Sequence, residues 1–141
     1  MILFDTDHLT IFKFPDSPKY IELHARLESA NDPNIGTTVI SLEEQLRGWL
    51  AVIARHQQVR KQVNAYQELL DLFEFFGRLT MLPFDDRAAE EYDRQRQQGV
   101  RIAAMDLKIA SIALTHDALL LSANLRDFTK VPTLKIENWI G

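Results

Sequence analysis

The stretch Met1-Ile2-Leu3-Phe4-Asp5-Thr6-Asp7 decides how the rest of the chain is read. Ile2–Phe4 is apolar at consecutive positions, the pattern of a strand buried on both faces of a parallel sheet. Asp5 follows directly, with no loop to carry it into solvent. A carboxylate so placed is costly unless something pairs with it. In an α/β fold the C-terminal end of a parallel strand is also where ligands bind. Asp5 is therefore either a helix cap or the first wall of an acidic site.

Further apolar runs outward from that stretch read as strands: residues 36–40, 79–82, 119–121 and 134–137. Helical segments are expected between them at 7–12, 18–30, 43–50, 85–98 and 106–116. Residues 51–76 form one long helix or two consecutive ones. There Val59, Val63, Tyr66, Leu70 and Phe73 recur at steps of four and three, one apolar stripe with Arg55, Arg60, Lys61 and Glu68 on other faces. Gly77 is a suitable stop. In 85–98, Ala88, Ala89 and Tyr92 share the buried side. The 106–116 helix is apolar nearly all round and is expected inside. Strands alternating with such helices predict an α/β chain with a mostly parallel sheet covered on both faces. Right-handed crossovers then bring every strand-to-helix junction to one sheet edge.

The chain of 141 residues is expected to be a single domain, 1–141, and its hydrophobic fraction of 46% suits a real core. No apolar run approaches the ~18 residues of a membrane span. No basic segment leads into an apolar region at the N-terminus, so no secretory signal is expected. The absence of cysteine excludes disulfides and thiolate metal sites and is compatible with a reducing, cytoplasmic compartment. A formal charge of −4 argues against general electrostatic capture of nucleic acid, though not against nucleic acid as substrate.

Four acids fall just after a strand or at a helix start: Asp5, Glu44 (in Ser41-Leu-Glu-Glu44), Asp106 and Asp127. Each has an ordinary explanation. Ser41…Glu44 has capping-box spacing and Asn124…Asp127 resembles it; Asp106, Asp5 or Thr6 can cap a helix. Acids also favour helix N-termini through the macrodipole. Independent caps, however, have no reason to follow buried strands on one edge. Converging carboxylates repel, and some are forced to protonate unless a cation relieves them. Mg²⁺ or Mn²⁺ suits an all-oxygen set, acidifies a water and screens a phosphate. Metal-assisted phosphodiester hydrolysis is the chemistry this set supports best. Thr6, Ser122 and Asn124 are candidates for hydrogen-bonding the acids from behind, and Ser122 and Asn124 read equally well as ordinary turn residues.

Asp5-Thr6 after its strand, Ser41-Leu-Glu-Glu44-Gln-Leu-Arg-Gly48, Asp106-Leu-Lys-Ile-Ala-Ser-Ile-Ala and Ser122-Ala-Asn124-Leu-Arg-Asp127-Phe128 together resemble the motifs of the PIN-domain family, and within it the VapC-type ribonuclease toxins. The resemblance runs the length of the chain, including Leu82-Pro83-Phe84-Asp85 and Val131-Pro132…Glu137-Asn138-Trp139. It implies an α/β/α sandwich with a five-stranded parallel sheet and Mg²⁺- or Mn²⁺-dependent endoribonuclease activity. It also implies homodimers and neutralisation by a cognate antitoxin. By position it makes Asp5, Glu44, Asp106 and Asp127 the catalytic and metal-binding acids; the acid four residues before Gly48 is Glu44 rather than Glu43. Two departures stand out. Asp7 occupies a place where many members carry Asn, and Ala103 one where Gly is common.

Arg126, Lys108 and Arg47 lie near the acids and are candidates for RNA phosphate contact, against the ordinary reading of solvated surface charge, which weighs most for Arg47. His8, His24, His56 and His116 show no ligand spacing and are expected at the surface or partly buried. Of Phe73, Phe75 and Phe76, an exposed remainder would mark a dimer or antitoxin contact. Asp5-Thr-Asp7 also resembles the start of a haloacid-dehalogenase-type phosphatase, with Asp5 as nucleophile and Asp7 as general acid. His8 stands where that pattern has Gly, and no later Asp pair is suitably placed. A non-catalytic protein- or RNA-binding module is the remaining alternative.

Overall fold

The computed structural model describes residues 1–141. Strands β1 (Ile2–Phe4), β2 (Ile35–Thr38), β3 (Thr80–Leu82), β4 (Leu119–Leu121) and β5 (Lys135–Glu137) form one sheet in the order β3-β2-β1-β4-β5. Every neighbouring pair is parallel. Helices α1 (Thr6–Lys13), α2 (Pro18–Ala30), α3 (Val39–Arg55), α4 (Val59–Phe76), α5 (Asp86–Gln97), α6 (Ala104–Thr115) and α7 (Leu125–Phe128) connect the strands.

Alternation along the strands divides the core in two. Leu3 and Leu120 pack in one cluster with Ala88 of α5 and Leu107, Ile109 and Ile112 of α6. Ile2, Phe4 and Leu121 pack in the other with Leu9, Leu23, Leu72 and Phe75 from α1, α2 and α4. The α/β/α sandwich follows from that alternation. Each fully buried Leu or Phe contributes about 1.5–3 kcal/mol of transfer free energy. Gly36 permits the close approach of β2 and β3, because a Cβ there would run into the Thr80 carbonyl.

β1 and β4 keep their expected limits. β2 stops at Thr38 rather than 40, because the Thr38 hydroxyl oxygen accepts the Ser41 N–H and starts α3 at Val39. The expected 43–50 helix is thus the middle of a longer one, and residues 51–55 belong to it. The chain turns at 56–58, where the Gln62 amide donates to the carbonyls of Ile53 and His56 and closes the end of α3. α6 lies inside as expected.

The stripe on α4 faces outward. Val59, Val63, Tyr66, Leu70 and Phe73 are 55–76% exposed, while Ala65, Leu72, Phe75 and Phe76 form the buried face. No helix is long and apolar enough to cross a membrane.

The chain steps from β1 outward to β2 and β3, then returns to the other side of β1 for β4 and β5. The strand order therefore reverses between β1 and β4. At such a switch point, the loops leaving the C-terminal ends diverge and open a crevice.

Candidate active site

Asp5 stands at the C-terminal end of β1, at that switch point. It caps a helix with one oxygen and turns the other toward the neighbouring strand end. Its Oδ1 accepts the Thr6 N–H at 2.8 Å as the cap of α1, and its Oδ2 accepts the Ser122 hydroxyl at 2.7 Å from just beyond β4. Burial raises its pKa above the usual carboxylate range. The bonds from Ser122 and Thr6 oppose that rise, and the charges of Asp7 and Asp106 add to it.

Glu44 reaches the same edge from the second turn of α3. Its Oε2 accepts the Thr6 hydroxyl at 3.0 Å, so Thr6 ties the start of α1 to α3. The capping box expected from Ser41 to Glu44 does not form, since Thr38 caps α3 and leaves Glu44 free to project. Burial raises Glu44; the Thr6 bond lowers it, and Asp5 and Glu43 raise it further.

Asp106 lies in the first turn of α6, whose cap position is Ala103, so it is not a cap. Burial raises its pKa, followed by the charges of Glu44, Asp127 and Asp7. Asn124 precedes α7 without capping it. Its amide nitrogen lies 3.4 Å from Asp106 Oδ2 and 3.2 Å from Asp127 Oδ2, bridging the two acids. Lys130 pairs with the other oxygen of Asp127 at 3.5 Å.

The four acids thus share one edge and one electrostatic field, drawn from β1, α3, α6 and α7. They do not close on a point: no three His, Cys, Asp or Glu side chains stand together to grip one ion. Mg²⁺ does not require that, because it keeps several waters and binds through one or two carboxylates plus substrate phosphate. The donor set fits a hard divalent cation on its chemistry. Every donor is an oxygen, and three of the acids are raised by burial and mutual repulsion, which a cation would relieve.

Asp7 is committed elsewhere. Its Oδ1 accepts both the His8 N–H at 2.7 Å and His8 Nδ1 at 2.6 Å, and its Oδ2 accepts the Ala123 N–H at 2.9 Å. Burial alone would raise Asp7, but these bonds outweigh it and hold the carboxyl below its usual range. Held charged and saturated with donors, Asp7 is unsuited to the general-acid role of a phosphatase. His8 is not at the surface or partly buried but fully enclosed. Its partners are Asp7 beside it and Trp139, a contact across 131 positions that no local pattern could signal.

Of the candidate phosphate contacts, Arg47 is occupied by Glu43 at 2.5 Å on the exposed face of α3. Lys108 lies half-buried on α6, its Nζ 6.0 Å from the centre of the Phe84 ring. Arg126 is exposed on α7, between Asn124 and Asp127.

A family model described as PIN domain matches residues 2–134. Ribonuclease VapC2 of Rickettsia felis is 34% identical over 83 residues, 56% of this chain and 60% of that protein. Ribonuclease VapC2 of Haemophilus influenzae is 34% identical over 71 residues, 48% of this chain and 54% of that protein. The matches thus span 60% or less of these curated relatives. Among solved structures, VapBC2 from Rickettsia felis bound to a DNA fragment from its promoter superposes with a TM-score of 0.71 at 26% identity, over 99% of both chains. FitAcB from Neisseria gonorrhoeae gives a TM-score of 0.65 at 26% identity, over 98% of this chain and 97% of that one.

Proposed function

Because the chain belongs to the PIN-domain family, we propose that it is a divalent-metal-dependent endoribonuclease, the toxin of a toxin–antitoxin pair, acting in the cytoplasm on RNA phosphodiester bonds. The observation that carries this reading is the approach of Asp5, Glu44, Asp106 and Asp127 from four separate segments at the β1/β4 switch point, with Thr6 and Asn124 joining them in pairs and Ser122 on Asp5.

Asp5, Glu44, Asp106 and Asp127 would hold Mg²⁺ or Mn²⁺. When bound, the cation would acidify a water and screen the scissile phosphate. The chain's own residues set the geometry. Thr6 orients Glu44, Ser122 orients Asp5, and Asn124 spaces Asp106 from Asp127. Glu44 and Asp106 are half-exposed, so water has access to both carboxylates. Arg126, and with it Lys108, would steady the RNA backbone without reading bases.

The antitoxin and a second copy of the chain are the protein partners in this reading. The outward apolar stripe of α4 supports a protein partner, since isolated exposed apolar residues are common but a continuous row is not. The test is incubation of RNA with purified protein, with and without Mg²⁺ or Mn²⁺. Internal cleavage that chelator abolishes supports the proposal; intact RNA under all conditions contradicts it.

A further inference from the structure

His8 is fully buried, and an imidazole enclosed in that way is costly unless its nitrogens are paired. Its two ring nitrogens explain its presence. The Trp139 backbone N–H donates to Nε2 at 3.1 Å. Nε2 is therefore an acceptor, and the ring proton sits on Nδ1, which donates to Asp7 Oδ1 at 2.6 Å. The other oxygen of Asp7 holds the Ala123 N–H at 2.9 Å and lies 3.4 Å from the Ser122 hydroxyl. Ser122 in turn donates to Asp5 at 2.7 Å. A polar chain thus runs from the segment after β5 through His8 and Asp7 to the backbone of the Ser122–Ala123 turn, whose serine hydroxyl reaches the acid at the switch point.

We propose that His8 is a positioning residue for the acidic site. By donating from Nδ1 it fixes Asp7, and Asp7 fixes the Ser122–Ala123 turn that orients Asp5. Trp139 fixes His8 in the required tautomer. Trp139 is itself buried in the core, with the Arg26 guanidinium 4.7 Å over its ring, so the far end of the line is anchored. Asp7 thereby acquires a role distinct from cation binding: it joins the loop after β4 to the start of α1. The catalytic part of this inference rests on the nuclease reading; the cation-binding part does not.

Two substitutions separate the halves of the imidazole. His8→Asn retains a donor near the Nδ1 position but loses the acceptor for Trp139. His8→Gln reaches the Trp139 N–H but places no donor at Asp7. Both are measured for RNA cleavage and, by calorimetry without RNA, for Mn²⁺ affinity. His8→Asn is expected to stay within about threefold of wild type in both, while His8→Gln loses about tenfold in kcat and in Mn²⁺ affinity with KM little changed. Wild-type behaviour of His8→Gln, or an equal loss in His8→Asn, overturns the proposal by reducing His8 to packing or to an anchor for the chain end. If the wild type binds Mn²⁺ but cuts no RNA, the nuclease reading fails and the order of Mn²⁺ affinities still decides the role of His8. Should either variant not fold, long-range ¹H–¹⁵N spectra of the wild type decide it. The expected result is the Nδ1–H tautomer for His8, with a resonance displaced by Ser122→Ala. The Nε2–H tautomer, or a resonance that Ser122→Ala leaves unmoved, overturns the proposal.

Discussion

The Ser122 hydroxyl donates to Asp5 Oδ2 at 2.7 Å, joining the ends of β1 and β4 across 117 positions of sequence. This bond sits where the strand order reverses, so it ties together two loops that would otherwise diverge. It also explains how Asp5 can cap a helix and still face the switch point: one oxygen serves Thr6, the other faces Ser122.

Ser122→Ala removes that donor and leaves a buried carboxylate oxygen short of a partner. The cost to stability is expected at about 1–3 kcal/mol, read by denaturant unfolding. RNA cleavage by the folded variant is expected to fall about tenfold, since Asp5 loses its orientation. Unaltered cleavage would mean that Ser122 is only a turn residue.

The pH dependence of the metal-free protein has a predicted sign. Burial and then neighbouring charge hold Asp5, Glu44 and Asp106 above the ordinary carboxylate range. Their folded pKa values exceed the unfolded ones, so the stability they contribute is complete below about pH 4 and is lost as pH rises through the raised values. Asp7 works in the opposite sense: its stabilisation is present at neutral pH and lost as pH falls through its depressed value. Asp106→Asn should therefore melt higher than wild type at pH 7 in chelator, with the gap closing toward about pH 4. Mn²⁺ should raise the melting temperature of the wild type more than that of the variant. Thermal melts in chelator and in Mn²⁺ check both statements.

Gly36→Ala tests the sheet rather than the site. The added methyl meets the Thr80 carbonyl, which belongs to β3 and cannot swing aside like a side chain. Destabilisation of about 1–3 kcal/mol is expected by denaturant unfolding.

Leu70→Glu tests the outward face of α4. The residue is exposed in the isolated chain, so the change in its stability should stay within about 0.5 kcal/mol. On the proposed toxin reading, growth arrest in cells by the variant should persist while relief by the co-expressed antitoxin weakens. Full relief would remove this face from the antitoxin contact.

Much of this architecture was legible because buried parallel strands announce themselves as short apolar runs. Ile2–Phe4 and Leu119–Leu121 were readable to the residue, and so was the enclosed α6. The end of β2 was not, because Val39 and Ile40 are β-branched and look like strand until Thr38 is seen to cap a helix. Periodicity found the face on α4 carrying Val59 to Phe73 but could not tell which side of the helix meets the core. The acids Asp5, Glu44, Asp106 and Asp127 stood out by their places after strands. Their separation into a pair bridged by Asn124 and a pair linked through Thr6 depended on side-chain directions. His8 was invisible as a structural hub because its meaning lies in a contact with Trp139 near the other end of the chain.

If Asp5 belongs to a metal-dependent RNA-cleaving site, Asp5→Asn should silence it. An asparagine oxygen can still accept the Thr6 N–H, so the cap and the fold should survive. Cleavage of RNA by wild type and Asp5→Asn is compared side by side in Mg²⁺, Mn²⁺ and chelator. Cleavage by the wild type is expected only with metal, with a loss of about a thousandfold or more in the variant. A cleanly folded Asp5→Asn protein that cuts RNA at the wild-type rate would contradict that role for Asp5.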